Sequence, residues 1–149
     1  MTVRSILLAV AVLWCAPGSQ GDEKAPDPLM GEWVAVRVSG PNGKDLPKDA
    51  LAQMRVTWMF QGGGKAVFSG TTDKGREEAK YTYTTDPSKS PSTIDLTVDG
   101  MKQFGIYKIE KGTLTLCLSD LRTSKDDRPK EFAVGDTGIL LEMVRPEKK

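Results

Sequence analysis

The chain has 149 residues, a length that suits one domain, and 21 basic side chains nearly balance 20 acidic ones. The balance argues against a nucleic-acid-binding protein, because such proteins usually carry a basic excess. The chain has no histidine. This excludes Ser-His-Asp and Cys-His catalysis, histidine-ligated zinc and pH switches based on imidazole.

The N-terminus has the pattern of an export signal. Arg4 precedes an apolar run over residues 6–15. The run is too short for a membrane span, which needs about 20 residues, and it fits the core of a signal peptide. Ser19 and Gly21 supply the small residues that a signal peptidase needs, so we predict a signal peptide over residues 1–21, cleaved after Gly21. A buried N-terminal helix is the alternative.

Cleavage would leave Cys117 as the single cysteine, so the core rather than an intramolecular disulfide would have to supply stability. Lipid attachment at Cys15 is disfavoured because the bulky Trp14 precedes it. Residues 22–28 are charged and contain two prolines, which predicts a flexible leader ahead of one domain over residues 29–149. We expect a secreted or periplasmic monomer, with no membrane span in the mature chain.

Beyond the leader, apolar and polar residues alternate with a period of two in eight runs separated by turn signals. The runs cover residues 33–38, 56–60, 66–70, 80–84, 93–98, 104–109, 113–118 and 139–144. Residues 46–54 predict a short helix or turn, with Pro47 near its start. Each strand has one apolar face, so the predicted fold is an all-β, eight-stranded antiparallel up-and-down barrel. A β-sandwich is the alternative.

Aromatic residues dominate the predicted inner face. The alternation turns seven of them inward: Trp33, Trp58, Phe60, Phe68, Tyr81, Tyr83 and Phe104. Barrels of this size hold one small ligand or are filled by their own side chains, and this aromatic volume indicates a small cavity or none.

The phase of the first strand stays open. Strict alternation places Arg37 on the same face as Trp33. The valines at 34, 36 and 38 form an equally apolar opposite face, so the strand contains a bulge or one of the assignments is wrong. An inward Arg37 could bind the carboxylate of a ligand through two hydrogen bonds.

Gly31-Glu32-Trp33 opens the first strand, and Arg145 follows the last strand in phase with its inward residues. This arrangement resembles that of the lipocalins, in which a Gly-x-Trp opens the barrel and an Arg near the end of the chain packs over the Trp ring. The resemblance implies a structural closure of the barrel base by a cation–π contact between Trp33 and Arg145.

Four further segments, residues 86–96, 105–107, 114–117 and 128–132, resemble one family in content and order. That family is the lipocalin-like domain of unknown function abundant in planctomycete bacteria, often carried behind a signal peptide. The resemblance spans roughly residues 29–145. It implies a lipocalin-like barrel in a bacterial envelope, and it brings no catalytic residue, substrate or cofactor.

The remaining motifs favour structural roles. No histidine activates Cys117, which lies in mid-strand, so a small structural residue is the favoured interpretation. Residues 61–66 resemble a phosphate loop only in their glycines, because Ala66 stands where a hydroxyl residue is needed. The acidic pairs at 77–78 and 126–127 are predicted in or beside polar loops. We expect no metal site and no cofactor.

Asp95 and Arg128 lie in segments that carry the family resemblance. Either they form a polar site at the rim of the barrel, or they form a salt bridge that ties the connection over residues 120–131 to it. The sequence favours the salt bridge.

We therefore expect a binding module that holds a small apolar or amphipathic ligand through Arg37, Trp58, Tyr81 and Tyr83. The alternative is an envelope protein-interaction domain that acts through its loops as an inhibitor or a scaffold. An enzyme ranks last, because no activated nucleophile or metal set is present. An open apolar cavity would support the first hypothesis, and a packed interior would support the second.

Export can be tested directly. N-terminal sequencing of the exported protein should begin at or near Asp22, because the apolar run and the small residues at 19 and 21 direct cleavage after residue 21. A cytoplasmic product that keeps residues 1–21 would contradict the prediction.

Overall fold

The structure, a computed structural model, describes residues 27–121 and 127–147. The predicted signal peptide, residues 22–26 of the predicted leader and Asp126 of the second acidic pair lie outside the described residues.

The described chain forms a closed barrel of eight antiparallel strands, in which each strand pairs with the next one along the chain and β8 pairs with β1. The elements in chain order are β1 (Gly31–Ser39), a 3-10 turn (Pro41–Gly43), α1 (Lys48–Met54), β2 (Thr57–Gln61), β3 (Lys65–Thr72), β4 (Gly75–Asp86), β5 (Ser92–Val98), β6 (Met101–Glu110), β7 (Thr113–Leu118) and β8 (Ile139–Val144). The predicted up-and-down barrel is confirmed, and the sandwich alternative is wrong.

β4 is longer than the sequence predicts. It begins at Gly75, and the acidic pair at 77–78 lies within it, paired with Gly70 and Ser69 of β3. The predicted start at residue 80 is too late. Both faces of β4 are polar and exposed near its start, so no alternation marks the strand there.

β1 contains a bulge, and this settles the phase of the strand. Its pairing with β8 shifts register between Ala35 and Arg37. Ala35 is buried in the core, and Val38 packs against that core. Val36 and Arg37, which lie between these two residues, are exposed. An inward Arg37 is therefore wrong: the extra residue breaks the alternation and turns this side chain outward.

Phe104 is also placed differently from its prediction. It pairs with Asp95 and lies on the outer face, with the guanidinium carbon of Arg128 5.3 Å from its ring centroid. The next residue, Gly105, faces inward, because a Cβ there would lie 2.5 Å from Leu118 and 3.3 Å from Ile94. The period-two pattern fails on β6 because both of its faces are buried.

A segment outside the barrel causes this double burial. Phe132 and Val134 pack on an outward cluster formed by Ile106, Cys117 and Leu140. The described part of the connection between β7 and β8 therefore adds a small second core to the one inside the barrel.

The base of the barrel, the end where β1 begins and β8 ends, is closed by Trp33 and Arg145. The Arg145 guanidinium carbon lies 3.9 Å from the centroid of the Trp33 ring, and its nitrogens donate to the carbonyls of Glu32 and Pro28. Trp33 is 2% exposed, and its Nε1 donates to the Leu29 carbonyl at 2.8 Å. The ends of the barrel sheet meet here.

Removing either partner should weaken the fold. Arg145→Ala should lower the free energy of unfolding by about 1–2 kcal/mol through the lost cation–π contact and packing. Trp33→Ala should lower it by about 3–5 kcal/mol, because it leaves a cavity in a buried site. Denaturant midpoints measure both effects, and two variants of wild-type stability would contradict a stabilising role for this contact.

Candidate functional site

Inward side chains near the two ends of the barrel are buried to different degrees. At the base, inward Phe60 and Met143 are buried. At the opposite end, which carries α1 and is called the open end below, the inward residues Phe68, Tyr81 and Ile139 are only partly buried. Part of the inner wall is therefore exposed at the open end.

Trp58 is the centre of an aromatic cluster beneath this opening. Its ring centroid lies 5.2 Å from that of Phe68, 5.0 Å from that of Tyr81 and 5.6 Å from that of Phe60, the last pair being stacked. The strand registers explain the grouping, because Trp58 pairs directly with Phe68, and Tyr81 pairs with Ala66. The small Ala66 side chain leaves room for the larger rings.

The indole N–H of Trp58 has no hydrogen-bond partner. Trp58 is 2% exposed, and its Nε1 is the one buried side-chain nitrogen or oxygen atom of the described residues that lacks a partner. Buried polar groups are nearly always bonded, and an unbonded one costs about 1–3 kcal/mol. A bound molecule with an acceptor oxygen would satisfy this donor.

Tyr81 adds a phenol ring to the opening. Burial raises the pKa of its hydroxyl, and the negative charge of Asp99 raises it further. The hydroxyl therefore remains protonated at physiological pH and can donate a hydrogen bond.

Tyr83, also predicted as a ligand contact, lies nearer the base. Its hydroxyl donates to Asp27 Oδ2 at 3.2 Å, and its ring packs edge-on against Phe60 at 5.1 Å. Burial, followed by the charge of Asp27, raises its pKa to about 12. Asp27, a residue of the predicted leader, also accepts a hydrogen bond from the Leu29 backbone. Tyr83 thus holds this residue to the barrel.

Arg37 lies outside the barrel, away from the aromatic cluster. It forms ion pairs with Asp45 at 3.2 Å and with Glu142 at 3.1 Å, and its side chain is 49% exposed. The hydrogen bond with Asp45 contributes most to raising the pKa of Arg37. The structure thus brings together Trp58 and Tyr81 of the four predicted ligand residues.

Phe68 joins Trp58 and Tyr81, although the sequence placed it only among the inward residues. The alternation of apolar and polar residues indicated that Phe68 faces inward. Its position at the opening depends on the register between strands.

Arg128 and Asp95 form a structural tie on the outer face. Arg128 Nη2 donates to Asp95, and Nη1 donates to the carbonyls of Ile94 at 3.1 Å and Gly105 at 2.8 Å. One guanidinium therefore fastens the connection between β7 and β8 to both β5 and β6.

Cys117 has a structural environment. Its thiol donates to the Ala133 carbonyl at 3.6 Å, and burial raises its pKa. A buried thiol with a raised pKa is a poor nucleophile. Over residues 27–121 and 127–147, no group of three or more acidic or cysteine side chains could hold a metal ion. None of the helices in these ranges is long and apolar enough to cross a bilayer.

No protein-family model and no curated protein matches the chain. Among solved structures, the chain is similar to the wild-type fluorescent protein UnaG, with a TM-score of 0.39 and 12% identity over 78% of this chain and 96% of that chain. An asparagine-to-alanine mutant of UnaG matches with a TM-score of 0.39 and 11% identity over 80% of this chain and 96% of that chain. The strand pairing of this chain itself establishes the barrel.

The hydrogen bonds of Arg128 predict that its removal destabilises the fold more than the removal of Arg37. Arg128→Ala should lower the free energy of unfolding by about 2–3 kcal/mol, because two backbone carbonyls and Asp95 lose their charged donor. Arg37→Ala, which breaks two exposed ion pairs, is the control and should have a much smaller effect. Chemical denaturation measures both, and equal effects would contradict the structural role of Arg128.

The raised pKa of Tyr83 predicts that its contribution to stability is lost at alkaline pH. The folded-state pKa of Tyr83 is about 12 against an ordinary value of 10.0, so its contribution is complete below about pH 10 and is lost as the pH rises towards 12. Tyr83→Phe should lower stability near pH 8 by about 1 kcal/mol through the lost hydrogen bond. The difference from wild type should shrink between pH 10 and 12. Denaturation at a series of pH values tests this, and a constant difference would contradict it.

Proposed function

We propose that this chain is an exported lipocalin-like barrel of the bacterial envelope, a monomer that binds a small apolar or amphipathic molecule at its open end. The observation that carries the proposal is the unpartnered indole N–H of Trp58, buried beneath the partly exposed rings of Phe68 and Tyr81. The predicted signal peptide and the segments that resemble the planctomycete family support its export and its family membership.

The side chains of the inner wall limit the chemical class of ligand that it can bind. The rings of Phe68 and Tyr81 offer apolar surfaces for stacking, and Trp58 Nε1 offers one hydrogen-bond donor. Within the described strands, the registers place no lysine or arginine on the inner wall, and Arg37 faces outward. A carboxylate would therefore be buried without a counter-charge, which is costly. The preferred ligand is a neutral apolar molecule with a carbonyl or ether oxygen.

Matched probes test this preference. All-trans-retinal and retinoic acid share a polyene, but only the acid carries a carboxylate. Titration of retinal into residues 22–149 should quench tryptophan fluorescence saturably, and retinoic acid should bind roughly tenfold more weakly because its charge is desolvated.

Variants locate the site. Trp58→Phe keeps a ring but removes the donor, so calorimetry should show retinal binding weakened by roughly tenfold, the equivalent of one hydrogen bond. Tyr83→Phe, a change near the base, is the control and should leave the affinity unchanged.

The absence of saturable quenching with both probes would overturn the proposal. So would a crystal structure in which the inner wall leaves a cavity no larger than a few waters. Either result would favour an interaction domain that acts through its outer surface.

A further inference from the structure

The outer surface carries a cleft where β1 and β2 separate. Their pairing runs only from Gly31 to Val34, although β1 continues to Ser39. α1 lies in this gap and buries Leu51 in the core. On the outside of this junction is a cleft of about 670 Å³, called the α1 cleft below.

The walls of the α1 cleft include small aliphatic side chains. Val34 and Val36 from β1 and Ala52 from α1 line it. Val36 is 51% exposed, because the bulge turns it out of the barrel. A single exposed valine is ordinary, but here it lies in a concave site that could accommodate another side chain.

Three basic side chains also line the cleft, against one acidic side chain. Lys48, Arg55 and Arg76 contribute positive charge, and Glu32 is the single acidic residue. Arg76 contacts the Thr57 hydroxyl at 3.4 Å, and none of the three basic residues belongs to an ion pair of the described ranges. The cleft therefore has an excess of positive charge available to a partner.

Arg55 occupies a position that favours glycine. It follows α1 as its C-cap with φ 45° and ψ 57°, a left-handed conformation in which side chains other than glycine are strained. A glycine would end the helix without this strain, so the Arg55 side chain can be removed without loss of the helix end.

We infer that the α1 cleft binds an acidic, extended segment of a partner protein that carries an aliphatic side chain. Lys48 and Arg55 lie at opposite ends of α1, about 10 Å apart along the helix axis at 1.5 Å per residue. A peptide with carboxylates on either side of an aliphatic residue matches this spacing and places the aliphatic side chain between the two charges. No aromatic side chain lines the cleft to stack on a base, which disfavours a nucleic acid.

Three peptides test the chemistry. A fluorescein-labelled peptide with the core Glu-Glu-Leu-Glu-Glu should bind residues 22–149 in an anisotropy titration at low salt. Replacing each Glu with Gln, or the Leu with Ser, should weaken binding by roughly tenfold, because each change removes one of the two complementary surfaces. Added salt should weaken the acidic peptide further.

A pair of matched variants locates the surface. Arg55→Gly should weaken binding about fivefold through loss of one charge pair, while the melting temperature stays the same or rises because glycine suits this conformation. Lys111→Gly is the control. It removes a positive charge from another residue with positive φ, 51°, in the turn between β6 and β7 at the base, and it should leave binding unchanged.

Two results would overturn the inference. Equal weakening by Arg55→Gly and Lys111→Gly would show nonspecific attraction to the whole surface. Displacement of the peptide by dodecanoate, with the same sensitivity to Arg55→Gly, would show that the cleft takes a lipid carboxylate instead.

Discussion

The contact between Arg145 and Trp33 joins the two ends of the barrel sheet, and it determines which end of the barrel is closed. A barrel avoids free strand edges only when its last strand returns to its first, and here the guanidinium lies 3.9 Å from the indole centroid where β1 and β8 meet. Gly31 precedes this contact with φ 105°, a conformation that favours glycine, and a Cβ there would also lie 2.6 Å from Arg145 Nη1. With the base closed in this way, the ligand proposed for the inner wall would enter from the other end.

One extra residue in β1 shapes that other end. The bulge at Val36 lets Trp33 and Val38 both face the core, although strict alternation would place them on opposite faces. Beyond the bulge, β1 no longer pairs with β2, and α1 lies in the gap. The same irregularity therefore turns Arg37 towards Asp45 and Glu142, exposes Val36 and creates the α1 cleft. Bulges often accompany functional sites for this reason, since they redirect side chains without breaking the sheet.

Alternation predicted the strands correctly wherever one face is apolar and the other is polar. It failed on β6, where Phe104 and Ile106 are buried beneath a segment that is distant in sequence, and at the start of β4, where both faces are polar. The inward phase of Trp58 and Tyr81 was readable from the sequence. The missing partner of the Trp58 indole was not, because it depends on distances to every neighbouring strand. Tyr83 has the same phase as Tyr81, and only the contacts with Asp27 and Phe60 place it near the base.

The two sites proposed at this end would take ligands of opposite character, because the barrel wall separates two different environments. Inside, charge is costly because water is excluded, so the described inner wall carries rings and one unsatisfied donor rather than cations. Outside, water screens each charge, so several cations must be spread along a groove to hold a partner. α1 separates the two environments, since Leu51 is buried in the core while Lys48 and Arg55 flank the cleft. The neutral ligand proposed for the barrel interior and the acidic segment proposed for the α1 cleft therefore need not compete for the same residues.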